Sequence, residues 1–122
     1  MISLAMAKQT ESKTLNIGLW VVQGLLALAF LGAGGGKLTG AAAMVEMFDK
    51  IGVGQWFRYV TGLLEVSGAI LMLVPGMARY AGALLAVVMV GAVMSHLTIL
   101  GGSPVAPLVL GVLSSIVAWK RW

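Results

Sequence analysis

The stretch Thr61-Gly-Leu-Leu-Glu65-Val-Ser-Gly-Ala-Ile-Leu-Met-Leu-Val-Pro75 holds a single carboxylate in an otherwise uncharged and largely apolar run. A run of this kind reads as a membrane-crossing helix. Insertion scales put an acidic side chain at mid-bilayer at roughly +2.5 to +3.5 kcal/mol, so such a residue faces a partner, a polar cavity or a ligand. Glu65 is therefore expected to be functional or firmly paired. The sequence offers Lys37 and Arg58 as structural partners for it.

The rest of the chain fits the same setting. Of its 122 residues, 60% are hydrophobic and 10% charged, and the mean hydropathy is +1.01. A membrane helix needs about 20 apolar residues. Apolar runs at residues 15–36, 57–74, 79–99 and 104–119 leave little length for a soluble domain. The expectation is an all-α protein: an integral membrane, antiparallel four-helix bundle, with residues 1–14 as a cytoplasmic tail and 15–122 as one transmembrane domain. The first run has the charge-then-apolar layout of a signal peptide but is longer than a typical apolar core of one, and it is read as a retained signal anchor.

The net charge of +4 comes from basic residues scattered at the ends of apolar runs rather than clustered, so lipid headgroups and not nucleic acid are the expected counter-charge. Lys8, Lys13, Arg79, Lys120 and Arg121 lie at the termini and the second connection, against Lys37, Lys50 and Arg58 around the first. The positive-inside rule then places both termini in the cytoplasm. Trp20, Tyr80 and Trp119 fall at the inner interface and Trp56, Phe57 and Tyr59 at the outer one, as amphipathic rings prefer. There is no cysteine, which excludes a disulfide, a thiolate metal site and dithiol chemistry. No metal site is expected, and one histidine among scattered methionines is a weak case for haem.

Pro75-Gly-Met-Ala78 and Gly101-Gly-Ser-Pro104 read as tight turns. The longer first connection carries Met44, Val45, Met47, Phe48 and Ile51 interleaved with Glu46, Asp49 and Lys50, the pattern of a short amphipathic helix at the outer surface between spans one and two. Gly82 and Ala86, one turn apart, are expected to pack helices closely. Gly34-Gly-Gly36 before Lys37 lacks the spacing of a phosphate loop and is read as a close helix contact or an unwound segment.

At about 1.5 Å of rise per residue, Glu65 lies roughly 12 Å below the outer face and His96 about 5 Å below it, while Lys37 ends span one at that face. Helical periodicity puts Glu65 on a stripe with Thr61, Gly68, Ala69 and Met72, and His96 on one with Gly82, Leu85 and Met89. Lys37, Glu65 and His96 are thus the candidate ligand-binding or proton-exchange residues. Each has a plainer role open to it: a snorkelling anchor for Lys37, a carbonyl hydrogen bond for His96 and a structural ion pair for Glu65.

Taken together, Gly34-Gly-Gly-Lys37-Leu-Thr-Gly40, Gly62-Leu-Leu-Glu65 through Pro75, and Ala92-Val-Met-Ser-His96-Leu97 resemble the DoxX-like family, from about Ile17 to the C-terminus. The resemblance implies a four-helix bundle in the bacterial plasma membrane, in a family whose better-described members are membrane subunits associated with oxidoreductases, including quinone-linked thiosulfate oxidation. Lys37, Glu65 and His96 match its polar landmarks, but the family has no settled catalytic residue to carry over. The expected role is therefore an accessory subunit of a membrane oxidoreductase or respiratory complex, with no intrinsic cofactor and a quinone or similar amphiphile as ligand. Its expected partners are the bilayer and either another membrane protein or further copies of the chain. Whether it is itself an enzyme stays open. The alternatives are a structural anchoring subunit, or a small solute or proton transporter, for which Gln23 and Ser114-Ser115 are the polar residues of the inner half.

Overall fold

A computed structural model describes residues 2–122, with side chains from residue 12 onward. The chain is all-helical, with no strand among the described residues. Helix α1 spans Ile2–Thr39, α2 Ala42–Ile51, α3 Gln55–Met72, α4 Ala78–Ser95 and α5 Val105–Arg121; a π-helical turn, His96–Leu100, continues α4. By length and composition two segments are able to cross a membrane, Ser12–Thr39 within α1 and Ala78–Leu100. The first helix overruns its expected span at both ends: residues 2–14, expected as a tail, are helical without a break into the apolar run.

Helix α1 also runs straight through Gly34-Gly35-Gly36, so no unwinding occurs there. It stops at Gly40, whose φ of 77° suits a residue without Cβ. The Ala41 amide then reaches back to the Gly36 carbonyl at 3.0 Å, the six-to-one bond of a Schellman ending. The end of α3 tightens differently, into three-residue turns in which the Leu73 amide bonds to the Ile70 carbonyl and the Val74 amide to the Leu71 carbonyl, each at 3.1 Å, before Pro75 and Gly76.

Packing follows the glycines. A Cβ on Gly34 would stand 2.8 Å from the Gly62 carbonyl oxygen, and one on Gly62 would stand 3.0 Å from the Gly34 oxygen, so α1 and α3 touch backbone to backbone at this level. Gly68 of α3 receives Leu85 of α4, whose Cγ would lie 2.7 Å from an added Cβ. Gly82 of α4 sits against α5, 2.6 Å from Ser114 O in the same sense, while Ala86, one turn on, is half-buried beside an apolar groove between α4 and α5. Helix α5 also meets α1, closing the sequence of contacts α1–α3–α4–α5–α1.

Polarity is distributed inside out. Leu25, Leu28, Leu63, Val87, Val90 and Leu108 face outward and are exposed, whereas Gln23, Lys37, Arg58, Glu65 and Ser114 are buried alongside Leu26, Phe30, Met72, Leu85 and Val117. Water as the only solvent would penalise such a surface. At one end of the molecule Lys120 lies over Trp119 at 4.3 Å and Arg79 over Tyr80 at 4.7 Å. At the other, Phe57 packs between Phe48 and Trp56 at centroid distances of 5.8 and 5.7 Å.

Candidate functional site

The Gly34–Gly62 contact sets the distance between α1 and α3 and so the position of the charged groups beside it. Lys37 lies one turn beyond Gly34 and Glu65 one turn below Gly62. Lys37 Nζ stands 2.6 Å from Glu65 Oε1, with 11% of the lysine side chain and 1% of the glutamate exposed. Lys37 is therefore turned inward to a partner rather than snorkelling to a surface. The ammonium retains two further N–H donors after this contact.

Arg58, the other cation available to Glu65, does something else. It is 5% exposed. It donates through Nη1 to the Lys37 carbonyl, one of the carbonyls left open by the end of α1, and through Nε to Gln55 Oε1 at 2.7 Å. Its guanidinium also lies 4.3 Å from the Tyr59 ring centroid. A cation here complements the negative end of the α1 dipole. The buried group formed by Lys37, Arg58 and Glu65 thus carries one formal positive charge in excess.

Lys37 and Glu65, but not Arg58, border a cavity of about 410 Å³. Lys37, Glu65, Thr61, Ser95 and His96 supply its polar wall, and Phe48, Phe57, Leu64, Val88 and Met89 much of its apolar one. Thr61 donates its hydroxyl to the Phe57 carbonyl at 2.8 Å, which occupies its proton. Helix α2 forms part of the cover: Phe48 is buried against Phe57, and Gln55 Nε2 donates to the Val45 carbonyl at 3.0 Å.

His96 is half-buried at the start of the π-helical turn, a wide-turn geometry often found at functional positions. The Gly101 amide bonds to the His96 carbonyl at 3.0 Å. His96 Nδ1 lies 2.9 Å from the Gly101 carbonyl oxygen. A carbonyl only accepts, so Nδ1 carries the proton and a neutral imidazole keeps its lone pair on Nε2. The carbonyl bond foreseen as the plain role of His96 is present, and the residue still lines the cavity. It also lines a second, smaller recess of about 280 Å³, with Glu46, Lys50, Gly101 and Gly102. All three candidates of the sequence therefore border one cavity, with Lys37 and Glu65 in contact and His96 at the wall toward the surface recess. No group of three or more His, Cys, Asp or Glu able to hold a metal occurs among the residues from 12 onward.

Sequence reasoning missed two arrangements. One is Arg58 as the cap of α1. Its signal was an arginine in the first turn of the helix that follows a Gly-terminated one, but the pairing is tertiary. The other lies at the opposite end. Gln23, fully buried, donates Nε2 to the Met72 carbonyl at 2.8 Å and accepts from Arg121 Nε at 2.8 Å. Arg121 Nη1 reaches Asn16 Oδ1 at 2.6 Å. Gln23 thus fastens α1 to the end of α3 and to α5.

An all-helical chain with an apolar exterior, candidate membrane helices and buried ionisable groups defines a class of small membrane-associated helical proteins. The chain belongs to the DoxX-like family, whose family model matches residues 21–118. No curated protein and no solved structure matches it.

Proposed function

We infer that the chain is an integral membrane protein of the bacterial plasma membrane, an antiparallel four-helix bundle of α1, α3, α4 and α5 with both termini cytoplasmic. In this reading it serves as an accessory subunit of a membrane oxidoreductase, holding the headgroup of a quinone or similar amphiphile at Lys37, Glu65 and His96. The observation that carries the reading is the buried Lys37–Glu65 pair opening onto a largely apolar cavity of about 410 Å³. Pockets for amphiphiles have this composition, mostly apolar walls with a few convergent polar groups at one end.

The Lys37 ammonium, with N–H donors left over from its contact with Glu65, suits an electron-rich oxygen. A carbonyl of the headgroup would accept from the Lys37 ammonium, while Glu65 and His96 Nε2 would give or take the protons that accompany its reduction. Reducing equivalents would come from the partner enzyme. Helix α2, resting on α3 through Phe48 and Gln55, is the element whose displacement would admit the ligand.

The closed ion pair supports a second reading. Lys37 and Glu65 balance each other's charge without a ligand, as in an anchoring subunit that uses one polar contact for helix registry. Purification in mild detergent, followed by mass spectrometry of everything retained, separates the two. A quinone or other amphiphile held by wild type and lost in Glu65→Gln supports the binding site. A stoichiometric protein partner with no small molecule, unchanged by the substitution, refutes it in favour of the anchor.

A further inference from the structure

The end of the molecule remote from Glu65 holds a further polar recess, of about 250 Å³. Asn16, Trp20 and Gln23 of α1, the Val74–Gly76 turn, Ala78 and Arg79 of α4, and Arg121 of α5 line it. Two guanidiniums from different helices therefore face one pocket. No carboxylate lines that pocket, and the acidic residues among the side chains described from residue 12 onward, Glu46, Asp49 and Glu65, belong to the first connection and α3.

The two arginines are differently employed. Arg121 sits at the C-terminus of α5, where a cation is favoured, and spends its fork on Gln23 and Asn16. Arg79 stands in the first turn of α4, where the helix dipole opposes a cation. Its Nε is shut away from solvent and has no hydrogen-bond partner among the described residues. Its Nη2 donates to Tyr80 Oη at 3.0 Å, and its plane lies 4.7 and 5.4 Å from the Tyr80 and Trp122 rings. The first amides of α4, on the pocket-lining Ala78 and Arg79, add the positive end of that dipole. A misplaced cation, a buried N–H without an acceptor and a helix N-terminus are together offset by one bound anion.

We propose that this recess binds a phosphate group, supplied by the headgroup of an anionic phospholipid of the cytoplasmic leaflet. Phosphate has the forked acceptor geometry that a guanidinium matches. The recess has room for roughly eight waters at liquid density, ample for a phosphate's five heavy atoms. Trp20 lines it, and Tyr80 and Trp122 flank its Arg79; this is the level at which aromatic belts meet headgroups, and the cytoplasmic leaflet is the one rich in anionic lipid. The proposal rests on the membrane placement given above but not on the Glu65 cavity.

The test is thermal unfolding of the full chain in neutral detergent, titrated with short-chain phosphatidylglycerol, with the matching phosphatidylcholine, or with inorganic phosphate. Phosphatidylglycerol is expected to raise Tm saturably and phosphatidylcholine not to. Arg79→Gln should weaken that response about tenfold or more, with Arg79→Lys between. Lys50→Gln, remote from the recess, should leave the response unchanged; neither Arg79 nor Arg121 lines the Glu65 cavity, so a failed ligand site there does not bear on this one. Among the described residues Arg79 has no hydrogen bond or ion pair to another helix, only its approach to the Trp122 ring, so its variants are expected to fold; circular dichroism checks this. If inorganic phosphate stabilises equally and through Arg79, the phosphate site stands with the free ion as its source. Equal responses to the two lipids, or a phosphatidylglycerol response that survives Arg79→Gln, overturn the proposal.

Discussion

Replacing Lys37 by Met keeps the length of the side chain and removes its charge, leaving the Glu65 carboxylate, 1% exposed, without its cation. At 2.6 Å two unit charges attract by about 6 kcal/mol if the effective dielectric constant is about 20. Desolvation of the two ions, several kcal/mol each, offsets most of that attraction, so the intact pair contributes little net stability. Breaking it is another matter, because the surviving charge keeps its desolvation cost and loses its partner. Lys37→Met and Glu65→Met are each expected to destabilise the fold by about 3–5 kcal/mol. The double variant, which buries two apolar side chains against each other, should fall within about 2 kcal/mol of wild type. The assay is SDS titration of the folded protein in mixed micelles, followed by circular dichroism, with the four proteins closing a double-mutant cycle. A coupling energy near zero, with the double variant as unstable as the sum of the singles, would refute the reasoning and mean that the two charges do not meet in the folded protein.

The three glycines before Lys37 should respond unequally: Gly34→Ala places a methyl 2.8 Å from the Gly62 oxygen and should cost about 1–3 kcal/mol by overpacking, whereas Gly35→Ala, with nothing within 4 Å, should be neutral or stabilise by up to about 1 kcal/mol through helix propensity. The same denaturation assay reads both, and equal effects would contradict the close approach of α1 and α3. Arg58→Met strips the Lys37 carbonyl of its donor and leaves Gln55 Oε1 unpaired, for an expected loss of about 1–3 kcal/mol; protease cleavage between Gly40 and Gly54 should accelerate with it. The absence of cysteine makes topology directly testable. In intact bacterial cells a membrane-impermeant maleimide should label Ser103→Cys, while Met77→Cys should react only after the membrane is opened, and the reverse pattern would invert the proposed orientation.

Helix existence was legible from residue order because it depends on local chemistry. Long apolar runs, a Pro-Gly turn after Val74 and a Gly-Gly-Ser-Pro turn after Leu100 mark out α3, α4 and α5, and the alternation around Phe48 marks α2. Stripe arguments also placed Glu65, Gly68, Ala69 and Met72 on one buried face of α3, since 3.6-residue periodicity is a property of the helix alone. The lone carboxylate of Glu65 announced a partner, because an isolated charge is too costly in apolar surroundings. Which partner it took was a tertiary matter. Lys37 and Arg58 are both cations near the same end, and the outcome turns on Gly34 and Gly62, which bring α1 close enough for Lys37 to reach Glu65 while Arg58 is drawn to the open carbonyl of α1. Lys37 at a helix end looked like an anchor for the same reason: periodicity gives the rotation of a residue about its own helix but not the rotation of that helix against its neighbours. The Gln23–Arg121 contact joins residues 98 positions apart, beyond the reach of any local pattern. Sequence alone determined the helices, their turns and the need to satisfy Glu65, all of which follow from solvation and local propensity. Only tertiary structure decided the ion pair, the cap on α1 and the two polar recesses, because each depends on how closely two backbones approach.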